Sequence, residues 1–262
     1  MKTQEMNTLR RDVEDFVTGP GEAYAEQIER TTHVPAGLWE DLRGRGFLSL
    51  TAPARYGGQG IGFSQYLELV ELFSMSQTMG VRGTDHAHLV FDRAPVPVAN
   101  RLGEEGQGLE VALGGFLTPS RISVAMSCVG LSRRAQELAV VHALGRETFG
   151  KPLAARQAIK FMLAENATDI EAARQLTLYA ARQWEAGAPD APKLSSMAKL
   201  NAVEALTRVT DKALQIHGGI GFWESSPIAR VYRDARAQRF EEGTNEIQKT
   251  VISRYLVGGG AS

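Results

Sequence analysis

Apolar residues recur at helical spacing along most of this chain, and the interruptions fall at glycine and proline. Residues 7–32 are amphipathic and strongly polar. Leu38, Trp39 and Leu42 begin a second helical stretch that stops at Gly44 and Gly46, and residues 48–60 read as loop, rich in glycine. Helical spacing resumes over 63–75, with Tyr66, Leu69, Val70 and Phe73 on one face. Residues 80–108 change character: His88 to Phe91 followed by Pro95, Pro97 and Gly103 predict one or two short strands and then turns. From there the chain becomes a run of long helices, predicted over 122–144 with Ser120 as N-cap, 157–186 and 194–217. Two shorter helices follow, one opened by Pro227 and one capped by Thr244. Gly187, Pro189 and Pro192 form the stop between the second and third long helices. Long helices with short connections imply a mainly α fold built on a helical bundle.

Composition narrows the class. The chain has 262 residues, 43% apolar and 23% charged, with 29 basic and 30 acidic side chains, so no charge excess favours nucleic acid or an anionic membrane. No apolar run reaches the length of a membrane span, and residues 1–16 lack the apolar core of a secretion signal; the cytoplasm is the expected compartment. A single cysteine, Cys128, sits among Ala125, Met126 and Val129, which reads as a buried structural thiol and excludes a disulfide framework within one chain.

The stretch with most chemistry is Gln215 to Gln248. It places Glu242 at a Gly243-Thr244 turn that opens the last helix, just after a helix rich in arginine. A carboxylate there feels the favourable end of a helix, and burial opposes its charge. It is either a functional acid or base, or a residue that merely assists capping, with Glu241 as a competing acid. Gly218-Gly219 either lets a backbone approach a phosphate or simply ends a helix. Arg230, Arg233, Arg236 and Arg239 recur every third residue, and with Asp234, Glu241 and Glu242 interleaved they read as an internal ion-pair network. His86 and His88 share a strand face but no third ligand is evident, so no metal site is expected. Gly57-Gly-Gln-Gly60 reads as a turn, since no lysine or strand-to-helix context follows.

Four separated motifs carry a resemblance: Arg146-Glu-Thr-Phe-Gly150, Gln157-Ala-Ile-Lys-Phe161, Gln215-Ile-His-Gly-Gly-Ile-Gly221, and Tyr232-Arg-Asp-Ala-Arg236 running into Glu242-Gly-Thr244. In this order they resemble the C-terminal region of the acyl-CoA dehydrogenases, flavoenzymes that desaturate acyl thioesters between Cα and Cβ. Pro53-Ala-Arg-Tyr-Gly-Gly58 resembles the family's N-terminal helical region, and Arg82 to Asp85 with Phe91 to Pro97 resemble the last strands of its middle β-domain. The resemblance therefore divides the chain into an N-terminal helical segment, 1–78, a β-domain remnant, 79–106, and a C-terminal helical bundle, 107–262. It also implies that most of the middle β-domain, which in the family covers the flavin ring, is missing.

The resemblance assigns roles residue by residue. Glu242 matches the base that removes an α-proton. Arg146, Thr148, Phe149, Gln157, Gln215, Gly218, Gly219 and Thr244 match contacts to FAD, several of them made across a dimer interface. Arg121 matches an arginine near the thioester or CoA moiety, although Thr118 stands where an acidic residue is common, and Gly243 belongs to the turn facing the thioester carbonyl. The implied partners are an acyl-CoA or acyl-carrier thioester and further copies of the bundle, in a homodimer or homotetramer or with a full-length homologous subunit. The implied setting is fatty acid metabolism. Retention of the base without the flavin cover leaves a redox-neutral thioester isomerase or dehydratase, or a noncatalytic subunit, as alternatives.

Overall fold

The computed structural model of the chain describes residues 3–31, 34–50, 59, 77–82, 98 and 101–258. Helix dominates. The expected single amphipathic stretch over 7–32 is two helices, α1 (Thr3–Thr18) and α2 (Pro20–Thr31), because Gly19-Pro20 interrupts the first and Pro20 starts the second without needing a backbone donor. Helix α3 (Ala36–Gly44) ends at Gly46, whose φ of +73° turns the chain into a short 3₁₀ turn, Phe47–Ser49. Val13 and Phe16 of α1 pack with Phe47 and Leu50 into a small core. Within it the rings of Phe16 and Phe47 meet edge to face at 5.8 Å.

The strand content is slight, as the sequence implies. Strand β1 (Gln77–Thr78) pairs with β2 (Val81–Arg82). The predicted helix over 63–75, the Pro53–Gly58 segment, the Gly57–Gly60 turn apart from Gln59, His86 with His88, and Phe91–Pro97 lie outside the described residues.

The bundle begins with a short helix, α4 (Gly108–Val111), which passes through a π-helical turn, Ala112–Leu117, directly into α5 (Thr118–Gly145). Ser120 is therefore inside helical backbone and not its N-cap, because the preceding glycine-containing turn already supplies helical conformation. A two-stranded hairpin, β3 (Glu147–Thr148) with β4 (Lys151–Pro152), and a 3₁₀ turn, Leu153–Ala155, lead to α6 (Gln157–Glu185). Helix α7 (Ala191–His217), a 3₁₀ turn (Gly218–Phe222), α8 (Pro227–Ala237) and α9 (Asn245–Leu256) complete the chain.

Helices α5, α6 and α7 form the centre of the bundle. Its core is rich in alanine, including Ala125, Ala135, Ala139 and Ala143 of α5 and Ala198, Ala202, Ala205 and Ala213 of α7. Small side chains let helices approach closely, and larger groups such as Met126, Leu131 and Leu206 fill the space between. Helix α6 runs antiparallel to α7, fixed by Asp169–Arg208 at 2.7 Å and Glu165–Lys212 at 2.6 Å. It also runs antiparallel to α5, where the Gln136 amide donates to the Leu163 carbonyl at 2.9 Å. Consequently α5 and α7 are parallel, and both start at one end of the bundle. Cys128 is fully buried between them, as expected.

The arginine stripe, which runs along α8 and just past its end, is an ion-pair network. Arg230 meets Glu22 at 3.3 Å, Arg233 pairs with Glu29, and Arg239 meets Glu204 at 3.3 Å, while Arg236 lies over the ring of Phe240. Glu22 also reaches Arg134 of α5 at 3.4 Å, so α2 is tied to two helices of the bundle by one carboxylate. Beside this network the backbone of Gly80 lies so close to α8 that a Cβ would fall 2.3 Å from the backbone of Asp234.

Asp234 is buried and accepts a hydrogen bond from the Val81 N–H at 2.8 Å. Burial pushes its carboxyl up to about 6 from an ordinary 3.8, against the opposing pull of that N–H and of Arg230. The folded chain thus keeps a proton that the unfolded chain releases, and the stability this contributes is present below pH 4 and lost as pH rises through 6. Asp234→Asn should therefore gain stability relative to the native chain between pH 4 and 6.5, by at most about 3 kcal/mol at 1.36 kcal/mol per pKa unit. Urea unfolding at the two pH values measures the difference.

Candidate active site

The parallel starts of α5 and α7 meet the start of α9, and the turn carrying Glu242 sits on top of them. Glu242 is half-buried and its φ is +51°, a left-handed conformation that costs a non-glycine residue roughly 1–3 kcal/mol. Gly243 follows at φ +94°, where glycine is strongly preferred. Thr244 then caps α9, its hydroxyl accepting the Ile247 N–H at 3.4 Å.

Two carbonyls turned inward by this backbone are met by buried donors. The Arg121 Nε–H donates to the Glu242 carbonyl at 3.1 Å, and the Gln248 amide donates to the same oxygen at 3.1 Å and to the Gly243 carbonyl at 2.9 Å. Lys199 Nζ donates to the Gly243 carbonyl at 3.0 Å. Burial lowers the pKa of both Arg121 and Lys199 from their usual values, with the nearby carboxylates acting the other way. The carboxylate of Glu242 accepts a hydrogen bond from the Ser120 hydroxyl at 2.7 Å. The structure thus offers an oriented carboxylate above a rigid polar floor, beside the apolar face of the π-helical turn, where Leu113 and Phe116 are exposed.

The sequence-predicted residues fall into two groups. Arg121, Glu242, Gly243 and Thr244 come together here, with Arg121 under the turn and bonded to its backbone. The others gather at the opposite end of the bundle. Arg146, Thr148 and Phe149 lie on the β3–β4 hairpin after α5, Gln157 starts α6, and Gln215, Gly218 and Gly219 end α7. Arg121 and Arg146 bound the same helical run, so the two groups are separated by about 37 Å at 1.5 Å per residue. The far end is open: Phe149 is 97% exposed, Arg146, Gln157 and Gln215 are exposed, and no atom lies within 4 Å of a Cβ built on Gly218 or Gly219. The His142 and His217 rings stack there at 4.5 Å.

The family model for the acyl-CoA dehydrogenase C-terminal domain matches residues 106–257, and that for the N-terminal domain matches residues 3–107. The chain belongs to the acyl-CoA dehydrogenase family. The two domain matches abut, so the chain is a shortened member lacking most of the middle β-domain. It is 43% identical over 181 residues to the acyl-CoA dehydrogenase of Bacillus subtilis (strain 168), covering 69% of this chain and 47% of that protein. It is 44% identical over 179 residues to the acryloyl-CoA reductase (NADH) of Anaerotignum propionicum, covering 68% and 45%. The chain thus spans about half the length of the curated relatives it matches. The butyryl-CoA dehydrogenase structure from Megasphaera elsdenii shares the fold, with a TM-score of 0.89 at 23% identity, covering 98% of this chain and 99% of that one. Among the described residues no helix is long and apolar enough to cross a membrane, and no cluster of side chains is able to hold a metal ion.

Three parts of this candidate site escape the sequence motifs. Ser120 reads as a cap but holds the Glu242 carboxylate. Among the described residues Lys199 is the largest fully buried side chain, and its signal in the sequence is a lysine on the helix face shared by Ser195, Ser196, Ala202 and Val203. On α9, Gln248 and Asn245 are buried while Ile247 and Leu256 are exposed, the reverse of the apolar-in expectation. The inward face must satisfy the turn carbonyls and Glu204, which needs amides. A Cβ at Gly243 would sit 3.1 Å from Ile247 and 3.2 Å from Gln248, in a backbone region that disfavours it. Gly243→Ala should lower stability by about 1–2 kcal/mol in urea unfolding, the loss expected for a side chain forced to positive φ.

Proposed function

We propose that the chain acts as an acyl-CoA dehydrogenase in which Glu242 takes the α-proton of an acyl thioester. The observation that supports this most directly is the turn itself, which holds a half-buried carboxylate in a strained conformation with one oxygen bonded to Ser120 at 2.7 Å. A base must be aimed before the substrate arrives, and strain fixed by four hydrogen bonds from below achieves that. The family implies FAD, which would accept the hydride leaving Cβ. The far-end residues fit a dinucleotide: Gly218 and Gly219 expose bare backbone, and Arg146 supplies an exposed guanidinium. At about 37 Å they cannot serve the Glu242 of their own chain along one helical run. The reading therefore requires a second copy, or a full-length homologous subunit, whose far end completes the site. The exposed apolar residues Leu144, Phe149, Ile220, Phe222 and Trp223 at that end support such pairing.

The half-length match favours a second reading, in which the chain retains proton transfer at a thioester but serves no redox step. An absorbance spectrum with a flavin assay on the denatured supernatant separates the two. Near-stoichiometric flavin, bleached without oxygen by an acyl-CoA in the native chain and not in Glu242→Gln, is the expected result. A colourless chain that takes up no added flavin would sink the dehydrogenase reading and leave Glu242-dependent α-proton exchange as the activity to seek.

A further inference from the structure

Lys199 is completely buried, and among the described residues it makes no ion pair; its hydrogen bond goes to the carbonyl of Gly243. A bundle of this kind has no packing need for an ammonium there, since the neighbouring positions of α7 are Ser195, Ser196, Ala198, Ala202 and Val203. Burying a charge is costly, and the Glu241 and Glu242 carboxylates offset only part of that cost here. The chain keeps one directly beneath the residue that follows Glu242. The Gly243 carbonyl is turned inward only because Glu242 and Gly243 both have positive φ, at +51° and +94°. A donor on that oxygen therefore favours the left-handed turn over alternatives in which the carbonyl points elsewhere. Gln248 also donates to this oxygen at 2.9 Å and to the Glu242 carbonyl at 3.1 Å, so the ammonium is one of two donors that hold the Gly243 carbonyl.

We propose that Lys199 is a positioning residue for Glu242: its ammonium fixes the Gly243 carbonyl, and so holds the turn that aims the carboxylate. The catalytic half of this assignment rests on reading Glu242 as the base; the conformational half does not. Charge and reach both matter. An ammonium donates three hydrogen bonds from a flexible stem and reaches the carbonyl from a helix that the core holds rigid.

The test compares native protein, Lys199→Met, Lys199→Gln and Glu242→Gln by amide hydrogen exchange read by mass spectrometry. Loss of the ammonium should raise exchange across residues 241–247 at least tenfold and leave α5, α6 and the rest of α7 within twofold. Lys199→Gln, which keeps an N–H donor, should fall between. Exchange in the turn equal to native, or a rise spread evenly through the bundle, overturns the assignment. Failure of both Lys199 variants to fold also overturns it, since the lysine is then a requirement of the bundle as a whole. The catalytic half is read from exchange of butyryl-CoA α-protons with deuterated solvent. There Lys199→Met should slow the bound-state rate 10- to 100-fold while changing the dissociation constant less than threefold. α-Proton exchange that persists in Glu242→Gln, or none in the native protein, defeats the base reading alone and leaves the turn measurement standing.

Discussion

The close packing of α5 against α7 decides where everything else in this molecule can be. Alanines along both helices bring their axes together, and the antiparallel α6 between their connections forces them to run in the same direction. Two helix starts therefore share one end of the bundle, and two helix ends share the other. Arg121 and Lys199 meet beneath the Glu242 turn because of that parallel alignment, and His142 meets His217 for the same reason.

The polar groups under the turn show how an otherwise oily bundle accommodates one irregular segment. A left-handed pair of residues exposes two carbonyls to the interior, where unmet acceptors are costly. Arg121, Lys199 and Gln248 meet them, and Glu204 binds Asn245 and Arg239 alongside. These groups come from three different helices. The turn is thereby defined by the tertiary structure and not by its own sequence, which explains how Glu242 tolerates a conformation that a β-branched or unsupported residue would leave.

Much of this was legible in the sequence, and the parts that were not share a cause. Helical spacing with the Gly187, Pro189 and Pro192 stop located the long helices within a few residues, and Thr244 capped the last one as its chemistry implies. Glu242 stood out because a Gly-Thr turn before a helix is a local signal. Ser120 reads as a cap, since nothing local shows that the glycine-containing stretch before it is already helical. The roles of Lys199 and Gln248 carry no local signal, because their importance lies in carbonyls 44 and five residues away, contacts that a one-dimensional pattern does not carry. The arginine stripe was legible as a network, but its partners Glu22 and Glu29 lie more than two hundred residues away from it.

That network gives the two ends of the chain different kinds of cohesion. Within the bundle the core contacts are apolar and indifferent to dissolved ions, and the ion pairs between α6 and α7 lie at its surface. Among the described residues, α2 is joined to it through Glu22 and Glu29, in partly exposed ion pairs that salt weakens. Electrolyte concentration thus acts more on the seam than on the core, while the Glu242 turn and the hydrogen-bonded floor beneath it depend on it least.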